Sequence, residues 1–234
     1  MPIELTKIGV VGCGTMGSGI CEVAARSGLD VVYSEVTTEA VAAGHERIAR
    51  SIDRAVERGK LERREGDDIL GRIEGTTKLD DLKGAQLVIE AVPEHLDLKK
   101  KVFSALNEIL DENAVLATNT SSLPVIDMAV ASGRTDKVIG FHFFNPAQVM
   151  PLVELVKTVA TDDTTIEVAR SFSERIGKTP VVARDRAGFI ANLLLFPYLN
   201  QAVRMLDQGF ATREDIDAAM QFGCGHPMGP LALL

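Results

Sequence analysis

The sequence predicts an α/β fold: a mainly parallel sheet with an inserted helical hairpin, followed by a short all-α C-terminal domain. Three observations carry this. Short β-branched runs alternate with helical spans from residue 7 onward. A glycine-rich turn closes the first run and opens the first helix. Beyond Ala183-Arg184 the pattern becomes helical throughout. The 234 residues, 46% apolar and 25% charged, suffice for one large domain and a smaller one, placed at 1–183 and 184–234.

KIGVVG (7–12) and DVVYSE (30–35) flank a helical span, the spacing of a β-α-β unit. A polar helical excursion follows, about 38–73, with expected breaks at Gly59-Lys60 and around Gly66. QLVIEAV (86–92), AVLATN (114–119) and KVIGFHF (137–143) resume the strand rhythm. Between the first two, Val102, Phe103, Leu106, Ile109 and Leu110 form a helical stripe suited to lying on a sheet. GFIANLLLFPYLNQAVRMLDQG (188–209) reads as one apolar helix with a kink at Pro197. Thr212 and Asp215 open a shorter helix in capping-box fashion, and Gly223 ends it.

Composition excludes several classes. A net charge of −8 argues against a broad nucleic-acid surface. The chain has no run of some twenty apolar residues, and MPIELTKIGVVG enters a strand without a leader pattern, so a cytoplasmic protein with no membrane partner is expected. Cys13, Cys21 and Cys224 are odd in number and lack metal-ligand spacing. They are read as packing thiols, with no metal.

GCGTMG places Gly12, Gly14 and Gly17 as GxGxxG between a strand and a helix, with Glu35 about twenty residues on at the end of the second strand. In this Rossmann-type arrangement Gly12 permits the tight turn, Gly14 lets backbone approach a pyrophosphate, and Gly17 lets helix and strand pack closely. A carboxylate at Glu35 would accept hydrogen bonds from both ribose hydroxyls and repel a 2′-phosphate, so NAD is expected rather than NADP.

EAVPE (90–94), NTSSLP (119–124) and HFFNP (142–146) each follow a strand and end in polar residues and proline. In an open parallel sheet that rim is where ligands bind. His142 sits in an aromatic run, and Glu154 lies inside the apolar segment MPLVELVKT, where an unpaired carboxylate would be costly. Each needs a polar partner and each can supply it to the other. Such a pair fixes the imidazole tautomer and leaves the second ring nitrogen to take a proton from an alcohol.

GVVGCGTMGSGI, NTSSLP, GFHFFNPAQVMPLVELV, RAGFIANLLLFPYLN and PMGPLALL, in this order, resemble the L-3-hydroxyacyl-CoA dehydrogenase family over essentially the whole chain, most closely its bacterial 3-hydroxybutyryl-CoA members. The resemblance implies that His142 is the acid/base and Glu154 its partner, with Ser121 and Asn192 holding the substrate's reacting oxygen. It implies that Gly14, Thr15, Met16, Glu35, Glu90, Ala91, Glu94, Lys99, Asn119 and Asn145 line NAD. The excursion matches an acyl-CoA-binding hairpin, on which Arg47, Arg50, Arg54 and Arg58 recur at three- and four-residue spacing with Ser51 beside them. That basic face, Ser51 and Arg58 above all, becomes a candidate CoA phosphate site. The resemblance implies that the C-terminal domain is truncated after PMGPLALL, where the family continues through helices that build a dimer interface, so a homodimer is expected when that domain is complete. Two other activities share the pattern: a dehydrogenase of a free sugar acid such as L-gulonate, and a nucleotide-binding protein without turnover.

Overall fold

A computed structural model describes residues 5–234. Eight strands form one sheet in the order β3-β2-β1-β4-β5-β6-β7-β8: β1 Lys7–Val11, β2 Asp30–Ser34, β3 Ile73–Thr76, β4 Leu87–Glu90, β5 Val115–Thr118, β6 Val138–Phe143, β7 Leu152–Lys157 and β8 Thr179–Arg184. Strands β1 to β6 are parallel, β7 runs antiparallel to β6, and β8 is parallel to β7. The 3-2-1-4-5-6 order is that of a doubly wound sheet, whose direction of winding reverses between β1 and β4. That reversal opens the crevice used for ligands.

The helices are α1 Thr15–Arg26, α2 Thr38–Glu57, α3 Arg63–Leu70, α4 Leu96–Ile109, α5 Val125–Ser132, α6 Asp163–Arg175, α7 Ala191–Asp207, α8 Arg213–Ala218 and α9 Pro230–Leu233. Strands β4, β5 and β6 are buried at every position, as expected of strands covered on both faces. Ile8, Val10, Ile20, Tyr33, Ile89, Phe141 and Phe172 belong to the core they share with the helices. Contacts divide the chain into two compact units, one ending at Arg186 and one running from Ala187 to Leu234. In the second, Ala202, Ile216 and Leu231 form a small core.

Several expectations are corrected. Gly66 does not break a helix but lies inside α3, where an added Cβ would sit 2.9 Å from Ile52 Cγ2. Its missing side chain is what lets α3 close on α2. The excursion ends at α3, and Ile73 already belongs to β3, whose IEGT is too short and polar to read as a strand. The long C-terminal helix starts at Ala191 rather than 188, because Gly188 (φ 81°) and Phe189 (φ 47°) adopt left-handed backbone. Pro197 does lie within it. Cys13 and Cys21 are buried, whereas Cys224 is exposed and packs nothing inward. Among the described residues no helix is long and apolar enough to cross a membrane, and no cluster of three or more His, Cys, Asp or Glu could hold a metal ion.

Candidate active site

The glycine loop leaves β1 and enters α1. Gly12 takes φ 90°, and a Cβ there would lie 2.9 Å from the Ala91 carbonyl oxygen on the other side of the crevice. A Cβ on Gly17 would collide with the Gly12 carbonyl. Gly14 differs, since a Cβ there would meet nothing within 4 Å. Two glycines are therefore required by the fold, and the third keeps backbone open to whatever approaches. Gly14 and Thr15 are exposed and Met16 is half-buried, at the N-terminus of a twelve-residue helix. Glu35, just past β2, accepts a hydrogen bond from Cys13 N–H at 2.5 Å. This loop and carboxylate fit the pyrophosphate and ribose of a dinucleotide.

The adjoining rim is held by a buried ionic cluster. Glu90 and Lys99 are 0% and 1% exposed. Glu90 accepts from Lys99 Nζ at 2.7 Å, Thr118 Oγ1 at 2.7 Å and Val92 N–H at 2.7 Å. Lys99 Nζ also lies 3.2 Å from Glu94 Oε2. Glu94 Oε1 in turn accepts from Thr120 Oγ1 and from Ser121 N–H at 3.1 Å. Burial raises the Glu90 carboxyl above its ordinary value, against the pull of Lys99. For Glu94, burial pushes upward too, but the bonds from Thr120 and the Lys99 charge outweigh it and the carboxyl is lowered. The resemblance has these residues lining NAD. In the structure the side chains of Glu90 and Lys99 stand behind the rim and fix its shape. Ala91 faces the crevice through the carbonyl opposite Gly12.

Asn119 also acts as a strut. Its N–H donates to Glu90 O at 2.8 Å, and its Oδ1 accepts from Phe143 N–H at 3.0 Å, linking the ends of β4, β5 and β6. Ser121 follows, half-buried, at the head of the loop that leads into α5. Asn145 is exposed, and its bond to Pro146 is cis.

His142 is the fifth residue of β6 and pairs in register with Glu154 of β7. Directly opposed residues on antiparallel strands bring their Cβ atoms to within about 5.5 Å. Here the side chains meet, with His142 Nδ1 2.7 Å from Glu154 Oε2. His142 is 6% exposed and Glu154 0%. A carboxylate only accepts, so Nδ1 carries the hydrogen in this contact. Phe144 packs beside the ring, with centroids 4.6 Å apart.

The basic stripe on α2 is not one surface. Arg47 Nη1 donates to the Cys13 carbonyl at 2.7 Å, and Arg50 lies 3.6 Å from Glu46. Arg54 and Arg58 are exposed, and half-buried Ser51 accepts from Gln148 Nε2 at 3.4 Å. Asn192 stands in the first turn of α7, in the second unit.

Sequence reasoning missed the Arg47 contact, the parts of Thr118 and Thr120, and Asp185, whose carboxylate accepts from Val125 and Ile126 N–H at the start of α5. It could have found Lys99 as a buried group. Lys99, Phe103, Leu106 and Leu110 recur at helical spacing, so the lysine shares the apolar face.

Comparison with known proteins gives this geometry its context. The family model of the 3-hydroxyacyl-CoA dehydrogenase NAD binding domain matches residues 7–186, and that of the C-terminal domain matches 188–234. A 3-hydroxybutyryl-CoA dehydrogenase of Mycobacterium tuberculosis is 48% identical over 100% of this chain and 82% of its own length. The crystal structure of (S)-3-hydroxybutyryl-CoA dehydrogenase PaaH1 from Ralstonia eutropha superposes with TM-score 0.95 at 42% identity, covering 98% of this chain and 81% of that one. FadB2 of M. tuberculosis gives TM-score 0.94 at 47% identity, covering 99% and 82%. The glycine loop, the sheet order and these matches agree: the chain belongs to the 3-hydroxyacyl-CoA dehydrogenase family of NAD-dependent oxidoreductases.

Proposed function

We propose that this chain interconverts a short-chain L-3-hydroxyacyl-CoA, 3-hydroxybutyryl-CoA first, and the corresponding 3-oxoacyl-CoA. The observation that carries the chemistry is the 2.7 Å contact between His142 Nδ1 and Glu154 Oε2, inside a chain 48% identical to a 3-hydroxybutyryl-CoA dehydrogenase. Gly12, Gly14, Thr15, Met16 and Gly17 would hold the NAD pyrophosphate and Glu35 a ribose. NAD, when bound, supplies the hydride acceptor for oxidation and, reduced, the donor for the reverse. In oxidation His142 takes the substrate's hydroxyl proton at Nε2 as the adjacent carbon gives up its hydride. Glu154 stabilises the imidazolium that results, and in reduction His142 returns the proton. Ser121 and Asn192 enter the proposal as donors to the reacting oxygen, and Ser51 and Arg58 as CoA contacts, all four supported by the motif resemblance. A homodimer is also proposed for the protein with a complete C-terminal domain, supported by apolar side chains exposed on the second unit, Leu194, Phe196 and Phe222 among them.

Steady-state turnover of acetoacetyl-CoA with NADH tests the reading. Turnover with micromolar to millimolar KM is expected. Oxidation of L-gulonate without thioester turnover would replace it with the sugar-acid reading, and NADH binding with neither turnover would leave a non-catalytic protein.

A further inference from the structure

We infer that Arg47 serves the cofactor, as a positioning residue for the glycine loop, although it stands on the helix that carries the proposed acyl-CoA contacts. Its guanidinium reaches across 34 residues of sequence to donate to the Cys13 carbonyl at 2.7 Å. The next N–H along the chain, that of Gly14, belongs to the same planar peptide and points the opposite way. Holding the carbonyl therefore aims the Gly14 N–H. The preceding peptide is held from its other side, since Cys13 N–H donates to Glu35 at 2.5 Å. Cys13 is thus clamped between a full positive and a full negative charge, both in charge-assisted bonds. Gly14, the N-cap of α1, has no side chain to cap the helix, and the space beside its Cα is open. The guanidinium also brings positive charge to a loop that faces an anion, in a chain whose net charge is −8. Arg47 and Arg58 are separated by eleven residues of α2 and its cap, about 16 Å of helix rise, so one helix addresses two ligands.

The test separates Arg47 from Arg58. NADH affinity is read from the fluorescence of the bound cofactor, and the KM for acetoacetyl-CoA is measured at saturating NADH, each beside a melting temperature. Arg47→Met should weaken NADH by ~10-fold, the size of one lost hydrogen bond to a charged group, with the thioester KM within about twofold of wild type. Arg47→Lys, which keeps a cationic donor, should recover part of the loss. Arg58→Glu should show the reverse pattern. NADH affinity within twofold of wild type in Arg47→Met overturns the inference, as does an equal loss for both ligands. The inference rests on the loop holding the pyrophosphate, which Gly14→Ala checks separately. Unchanged NADH affinity in that variant sinks the loop reading. Weakened binding there, with Arg47→Met unaffected, sinks only the role of Arg47.

Discussion

His142 and Glu154 are register partners across the one antiparallel pairing in the sheet among the described residues, and their side chains meet at 2.7 Å. The main-chain hydrogen bonds that join β6 to β7 therefore also place ring and carboxylate. Neither side chain depends on a loop for its position, which is the rigidity the proposed proton-transfer role needs. His142→Ala should lower kcat by ~10²–10⁴-fold, with NADH affinity retained. Glu154→Gln should lower it as well, and the double variant should lose less than the product of the two. Near-normal kcat in His142→Ala would remove it from the mechanism.

Glu35 gives a prediction about cofactor choice. Wild type should favour NADH over NADPH in kcat/KM, and Glu35→Ala should narrow that ratio by ~10-fold, since a carboxylate no longer faces the 2′ position. A wild-type preference for NADPH would remove Glu35 from the ribose site.

The glycines separate folding from binding. Gly17→Ala drives a Cβ into the Gly12 carbonyl and should destabilise by ~1–3 kcal/mol in chemical denaturation, as overpacking does. Gly14→Ala adds a Cβ in open space and should stay within ~0.5 kcal/mol of wild type while losing NADH affinity. Equal stability losses would contradict the geometry.

Lys99 lies between two carboxylates. Lys99→Met leaves the buried Glu90 carboxyl without its cation and should cost ~3–5 kcal/mol. Adding Glu90→Gln should restore part of that, because it removes the uncompensated charge. A double variant as unstable as the single would mean that packing, and not charge, decides this position.

Asp162 gives a pH dependence. Its Oδ1 caps α6 by accepting from Thr165 N–H, and its Oδ2 accepts from Lys137 Nζ, each at 2.6 Å. Burial pushes the carboxyl upward, but the bonds from Lys137 and Thr165 hold it below its ordinary value. A lowered carboxylate stabilises above the unfolded value, and that contribution fades as pH falls through the folded one. Asp162→Ala should cost ~1 kcal/mol at pH 7, and its gap from wild type should close on titration below pH ~4. A gap that is constant with pH would show that the charge contributes nothing.

The parts of this fold that were legible in sequence are those with their own periodicity. The five expected strands lie within two residues of observed ones, because apolar β-branched runs bounded by polar turns have few alternatives. Strands β3, β7 and β8 escaped notice as strands, β7 being read only as the apolar segment around Glu154. IEGT carries almost no apolar signal, and TPVVAR lies next to the compositional shift that suggested helices. At the site, a carboxylate and an imidazole inside apolar runs announced each other through the cost of burying either alone. Arg47 could not be read in the same way. Arginine at three- and four-residue spacing is equally a solvated face, and only the tertiary path of α2 brings this one to the Cys13 carbonyl.

The ammonium shared by Glu90 and Glu94 also constrains drift over evolutionary time. A single substitution of the lysine at position 99 leaves the Glu90 carboxyl in the interior without its cation, and the Thr118 hydroxyl is committed to the same carboxyl. Accepted changes must therefore arrive together, or through a neutral intermediate such as glutamine at 90. Across an alignment of relatives, positions 90, 99 and 118 should covary as a block, while the exposed arginines at 54 and 58 change independently of them.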